Sequence, residues 1–195
     1  MMTSLNPNKN KTRKFILLSL LVVISRFYDV VTTYFYTPDL KNETNILVVF
    51  FGAEWTSVII TQSLLVGLIV LLLYYYLFKF NPTYPADKNL TLKQFSSYLY
   101  FNDTTSFSKL FYKLPNNKKT LLASTGYVVS MTLICVSLIV GTSTTFLLLS
   151  DKYQQLYKNG IQTSLFVIIV ALALWFSIRF FKLEFRKYKY NAPKN

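Results

Sequence analysis

The chain contains no histidine. That excludes serine–histidine triads, histidine-ligated metals and histidine ligation of haem. Cysteine occurs once, as Cys135 inside an apolar run, so the sequence offers neither a disulfide framework nor a thiolate metal site. There is no Walker-type loop, no glycine-rich dinucleotide pattern and no internal repeat. Acidic residues are few, eight against 21 Lys and Arg, for a formal net charge of +13. Chemistry would therefore fall to carboxylates, hydroxyls, amides and arginine, because no lysine lies inside a long apolar run.

What is present is apolar surface. Hydrophobic residues make up 52% of the chain and aromatics 17%, with a mean hydropathy of +0.34. A membrane span needs about 20 apolar residues, at ~1.5 Å rise per residue across a ~30 Å hydrocarbon core. Four segments qualify: 15–36, a stretch within 46–78, 121–149 and 161–181. The first outruns a signal-peptide core and lacks a small-x-small cleavage site, so it reads as a span. The expected fold is all-α: one polytopic membrane domain over residues 1–195, a bundle of four transmembrane helices with short interfacial helices on the inner side.

Most basic residues cluster outside these runs, which makes them a topology signal rather than a nucleic-acid footprint. The N-terminal tail, the long 79–119 connection and the C-terminal end are rich in Lys and Arg, whereas the 37–45 and 150–160 loops are poor in them. This alternation predicts four spans with both termini on the cytoplasmic side of a bacterial inner membrane, with the mitochondrial inner membrane as the alternative. The expected partners are the bilayer, with anionic lipid at its inner face, and copies of itself or a larger membrane complex. No nucleic acid is expected, and the sequence does not identify a cofactor or a metal.

Two segments carry further detail. A continuous helix over 46–78 would measure about 50 Å, longer than the core. It must tilt or project, kink near Gly52, or leave 46–52 as a separate piece; one long helix kinked near Gly52 is the favoured form. In the inner 79–120 connection, Leu92, Phe95 and Leu99 follow helical spacing behind a Thr91 suited to capping, and Phe107, Leu110, Phe111 and Leu114 do so again. These amphipathic pieces either turn their lysines to lipid headgroups or pack beneath the bundle. The third run also carries a stripe of small residues, Gly126, Ser130, Ser137 and Gly141, which permits close helix approach.

The polar residues inside the runs form a pattern. Arg26 and Asp29 lie in the first run and Glu54 in the second. Counting from the expected outer boundary puts Asp29 and Glu54 at a similar depth, roughly 10 Å in, with Arg26 one turn deeper. Thr142 to Thr145 of the third run fall at the same level. Ser25, Arg26, Asp29, Thr32, Thr33 and Tyr36 share one helical face, and Glu54, Ser57 and Thr61 share another. The candidate layer is therefore Arg26, Asp29, Thr32, Thr33, Glu54, Ser57, Thr142 and Thr144. Asp39, Glu43 and Asn45 of the outer loop would close it from above. Oxygen ligands of this kind suit a hard divalent cation, although no spacing matches a metal motif. Intramembrane charges cost about 2.5–3.5 kcal/mol each on insertion scales, so they must be paired or face water.

Asp29, the Thr32-Thr33 pair and Glu43-Thr44-Asn45 resemble the pattern of an uncharacterised family of small bacterial integral membrane proteins. That family carries an aspartate in the first span, a Thr-Thr or Ser-Thr pair, and Glu-x-Asn-Pro opening the second span. Here Ile46 stands where the proline is expected. The resemblance covers about 30 residues and implies attention to these positions, not an activity. Three functions remain open on these residues. One is an outward-facing pocket that binds or passes a small solute, cation or proton. Another is a structural or assembly subunit of a larger membrane complex, bacterial or organellar, whose charges staple helices together. The third is a carboxylate-based lipid-modifying enzyme, which lacks an evident nucleophile.

Overall fold

The computed structural model describes residues 7–40, 52, 54–87, 89–105 and 107–191. The fold is all-α. Helix α1 covers Pro7–Tyr36. Helix α2 covers Trp55–Tyr74 and ends in a π-helical turn, Tyr75–Lys79. Helix α3 is Leu92–Phe101 and α4 is Lys118–Leu149. Helix α5, Asp151–Leu156, continues through a π turn, Tyr157–Ile161, into α6, Gln162–Asn191. Four of these stretches are long and apolar enough to cross a membrane: Lys9–Tyr36, Trp55–Lys79, Lys118–Leu149 and Asp151–Tyr190.

Contacts at both ends fix the helix directions. Phe15 at the start of α1 meets Tyr74 and Phe78 at the end of α2. Tyr127 near the start of α4 meets Phe180 near the end of α6. Tyr28 and Thr145, both late in their helices, are hydrogen-bonded at 2.9 Å. So α1 and α4 run parallel to each other and antiparallel to α2 and α6. Both described termini lie at one end of the bundle, together with α3.

Helix α4 is the hub. It packs against α1, α2 and α6, and 33% of its apolar stretch is buried, against 11% for the α6 stretch. The small-residue stripe makes this possible, and Gly126, Ser130, Ser137 and Gly141 are all buried. A methyl group on Gly126 would fall well inside contact distance of the Leu72 backbone carbonyl, and one on Gly141 would lie 2.7 Å from the Tyr28 ring. Only glycine at 126 lets the α2 backbone approach α4 this closely, and Gly141 leaves room for the Tyr28 ring of α1.

Three boundaries differ from the sequence expectation. Helix α2 begins at Trp55, not at 46. Glu54 is extended, with φ −78° and ψ 168°, and Gly52 has φ +59°, so the break falls before the helix and α2 is not one long helix from residue 46. The 150–160 loop is mostly helical: Ser150 caps α5 by accepting from the Tyr153 N–H, and Gly160, at φ 132°, absorbs the bend into α6. The second amphipathic piece is only a 3-10 turn, Phe107–Phe111, because Pro115 and short polar runs leave it no length to propagate.

Helix α3 matches its sequence signals. Thr91 and Gln94 form a reciprocal capping box. Its apolar face packs beneath the bundle: Phe95 is fully buried and touches Phe185 and Tyr188 of α6. Tyr100 donates to Ser124 at 2.7 Å, and the Asn117 amide donates to the Leu99 carbonyl. Burial pushes the Tyr100 phenol above its usual range, partly offset by the Ser124 bond.

Candidate functional site

Three long helices meet at Arg26. Its guanidinium pairs with Asp29 one turn further along α1. It also donates twice to the Gln62 side-chain oxygen on α2, at 3.2 and 2.8 Å, and more weakly to Ser137 on α4, at 3.4 Å. The two charged side chains are 19% and 10% exposed. One guanidinium fork thus reaches α2 and α4 while neutralising a carboxylate on its own helix, a geometry lysine could not supply.

A pocket of about 110 Å³ opens beside this pair. Arg26, Asp29, Thr33 and Gln62 supply its polar wall, and Leu40, Trp55, Val58 and Val140 its apolar wall. Trp55 is fixed there by its indole N–H, which donates to the Pro38 carbonyl at 2.8 Å. The Gln62 oxygen is occupied by Arg26, while its amide N–H groups meet no acceptor among the described residues.

The structure brings Arg26, Asp29 and Thr33 of the expected layer together. Thr32 is buried, but its hydroxyl turns back to the Tyr28 and Asp29 carbonyls and so serves its own helix. Glu54 is not in the layer. It precedes α2 and is exposed, because the helix starts nine residues later than its apolar run. Ser57 is exposed as well. Thr142 faces outward while Thr144 is buried in α4; it is Thr145 that reaches α1, through Tyr28. Asp39 lies exposed in the turn after α1. Glu43 and Asn45 lie outside the described residues. Among the described residues no three Cys, Asp or Glu gather closely enough to hold a metal ion. The residue the sequence reading missed is Gln62. Its signal is faint: an uncharged amide about two helical turns into the apolar helix that begins at Trp55.

A second buried charge, also missed, lies at the opposite end. Glu184 of α6 is completely buried. Its carboxylate accepts from Lys187 at 2.6 Å and, at longer range, from the Tyr76 hydroxyl of α2 (3.4 Å) and the Tyr84 hydroxyl of the following segment (3.5 Å). The Tyr188 hydroxyl donates to the Asp87 carbonyl. The Tyr76 ring, whose hydroxyl reaches the carboxylate, itself packs against Phe80, Tyr127 and Phe180. Burial first, then the Glu184 charge and hydrogen bond, push the Tyr84 phenol well above its usual range. Glu184 is the only acid from residue 161 onward, a signal masked by the basic residues around it.

Comparison of the chain with protein-family models, curated proteins and solved structures returns no match.

Proposed function

We propose that the protein is a structural subunit of a larger membrane assembly, crossing a bacterial inner membrane four times with both termini cytoplasmic, and that the Arg26 layer is its internal staple. The observation that carries this reading is the position of α4. A conduit needs helices arranged around a central space, and here the centre is filled by α4 itself, packed closely through its small-residue stripe. Among the described residues the charged layer is also internally paired. With Glu54 outside, the layer's ion pair among the described residues sets one arginine against one aspartate, and the guanidinium is satisfied by α1, α2 and α4 together. The positive-inside bias supports the orientation.

The test is the native size of the protein. Extracted from its own membranes in mild detergent, the 22.7 kDa chain is expected to run in a complex of fixed stoichiometry. A monodisperse single chain, unchanged after crosslinking in intact membranes, overturns the assembly role.

A second reading rests on the pocket. Its volume of about 110 Å³ holds a few waters, at ~30 Å³ each, or one small polar solute, and the Gln62 N–H groups point to an acceptor on it. This reading predicts that Asp29→Asn folds with unchanged stability and loses solute binding, whereas the staple predicts loss of stability.

A further inference from the structure

The exposed face of α6 changes character along its length. Val167, Val170, Leu174, Trp175 and Ile178 are 51–64% exposed. One turn later the same face becomes cationic, with Arg179, Lys182 and Arg186 all exposed. Spacings of three and four residues keep these side chains on one stripe. A groove of about 250 Å³ lies along it, lined by Trp175, Ile178, Arg179, Lys182, Leu183 and Arg186. The Arg179 guanidinium sits over the Trp175 ring, 5.3 Å from its centre.

None of the three cations forms an ion pair among the described residues. The one nearby acid, Glu184, points into the bundle and is paired with Lys187, so it does not neutralise the stripe. The apolar part, from Val167 to Ile178, is about 16 Å long at ~1.5 Å per residue. One leaflet's share of a ~30 Å core is about 15 Å. An acyl chain lying on the apolar part would therefore place a phosphate at the cations, with Trp175 at the depth interfacial tryptophans prefer.

We propose that the Trp175–Arg186 face of α6 is a binding site for one anionic phospholipid, its phosphate held by Arg179, Lys182 and Arg186 and its acyl chains lying along Val167 to Ile178. A surface-bound Lys or Arg contributes about fivefold to association with anionic lipid, so three contribute about a hundredfold. The site is independent of the assembly role.

Native mass spectrometry of the full chain, loaded with equal phosphatidylglycerol and phosphatidylcholine of identical acyl composition, tests it. The wild type is expected to retain phosphatidylglycerol at least about tenfold over phosphatidylcholine. The Arg179→Gln, Lys182→Gln, Arg186→Gln triple variant is expected to lose that preference. The Lys109→Gln, Lys113→Gln, Lys119→Gln variant, with the same change in charge, is expected to keep it. Equal retention of the two lipids, equal loss in both variants, or displacement of the lipid by excess inorganic phosphate overturns the proposal. If the triple variant fails to fold, Arg186→Gln alone is expected to lower the preference about fivefold, and no change there overturns it equally.

Discussion

Arg26 illustrates how little polar chemistry a membrane bundle needs to fix its geometry. Removing one partner of a paired charge leaves the other uncompensated, which costs about 3 kcal/mol or more when the site is buried. Asp29→Asn and Arg26→Gln are each expected to lower stability in detergent by up to ~3 kcal/mol, and the double variant by clearly less than the sum. Additive losses in denaturant titrations count against a staple. At the other end, the Tyr84 phenol has a raised pKa in the fold because burial and Glu184 both oppose its ionisation. The raised value means that the folded state holds its proton more tightly. This contribution is whole below the ordinary value of 10.0 and is lost as pH rises above it. Tyr84→Phe is expected to flatten the alkaline fall in melting temperature above about pH 10 relative to the wild type. The Arg26–Asp29 pair was legible in the sequence because charges in an apolar run stand out. Gln62 and Glu184 were not. An amide carries no charge to mark it, and an acid among basic residues looks like part of an interfacial end until its burial is seen.

Among the elements, α4 carries the closest approaches. A methyl at Gly126 collides with the backbone of α2, which cannot move without separating the helices, whereas at Gly141 it meets a tyrosine ring that can rotate. Gly126→Ala is therefore expected to lower the melting temperature more than Gly141→Ala, with a cost of about 1–3 kcal/mol for the former. Equal melting points would mean that α2 and α4 are not held at the observed distance. The small-residue stripe could be read from spacing alone, and so could α3, whose Thr91–Gln94 signature is local. The start of α2 could not. Val48, Val49 and Phe50 extend the apolar run upstream of Gly52 and Glu54, so hydropathy placed the boundary too early and carried Glu54 into the membrane with it. The length of α5 was hidden for the opposite reason: its polar face resembles a loop, and a serine cap with a glycine bend makes it a helix.

Across the whole molecule, apolar runs of sufficient length announced the four long helices, but their arrangement followed from contacts no hydropathy profile contains. The charge alternation predicts which ends face outward. In a Cys135→Ser background, Lys152→Cys is expected to react with an impermeant maleimide from the outer side of intact cells, and Lys113→Cys only after permeabilisation. The reverse pattern inverts the proposed orientation. The hub position of α4 has one more consequence, for synthesis. Ser137 follows Arg26 by 111 residues, and chains elongate at about 5–20 residues per second. For roughly 6–22 s after Arg26 is polymerised, α4 is incomplete and its contacts with α1 and α2 cannot all form. The nascent protein must therefore pass through a stage with Asp29 as Arg26's ionic partner but without the link to α4, the interval in which a membrane insertase or a quality-control protease has most to recognise.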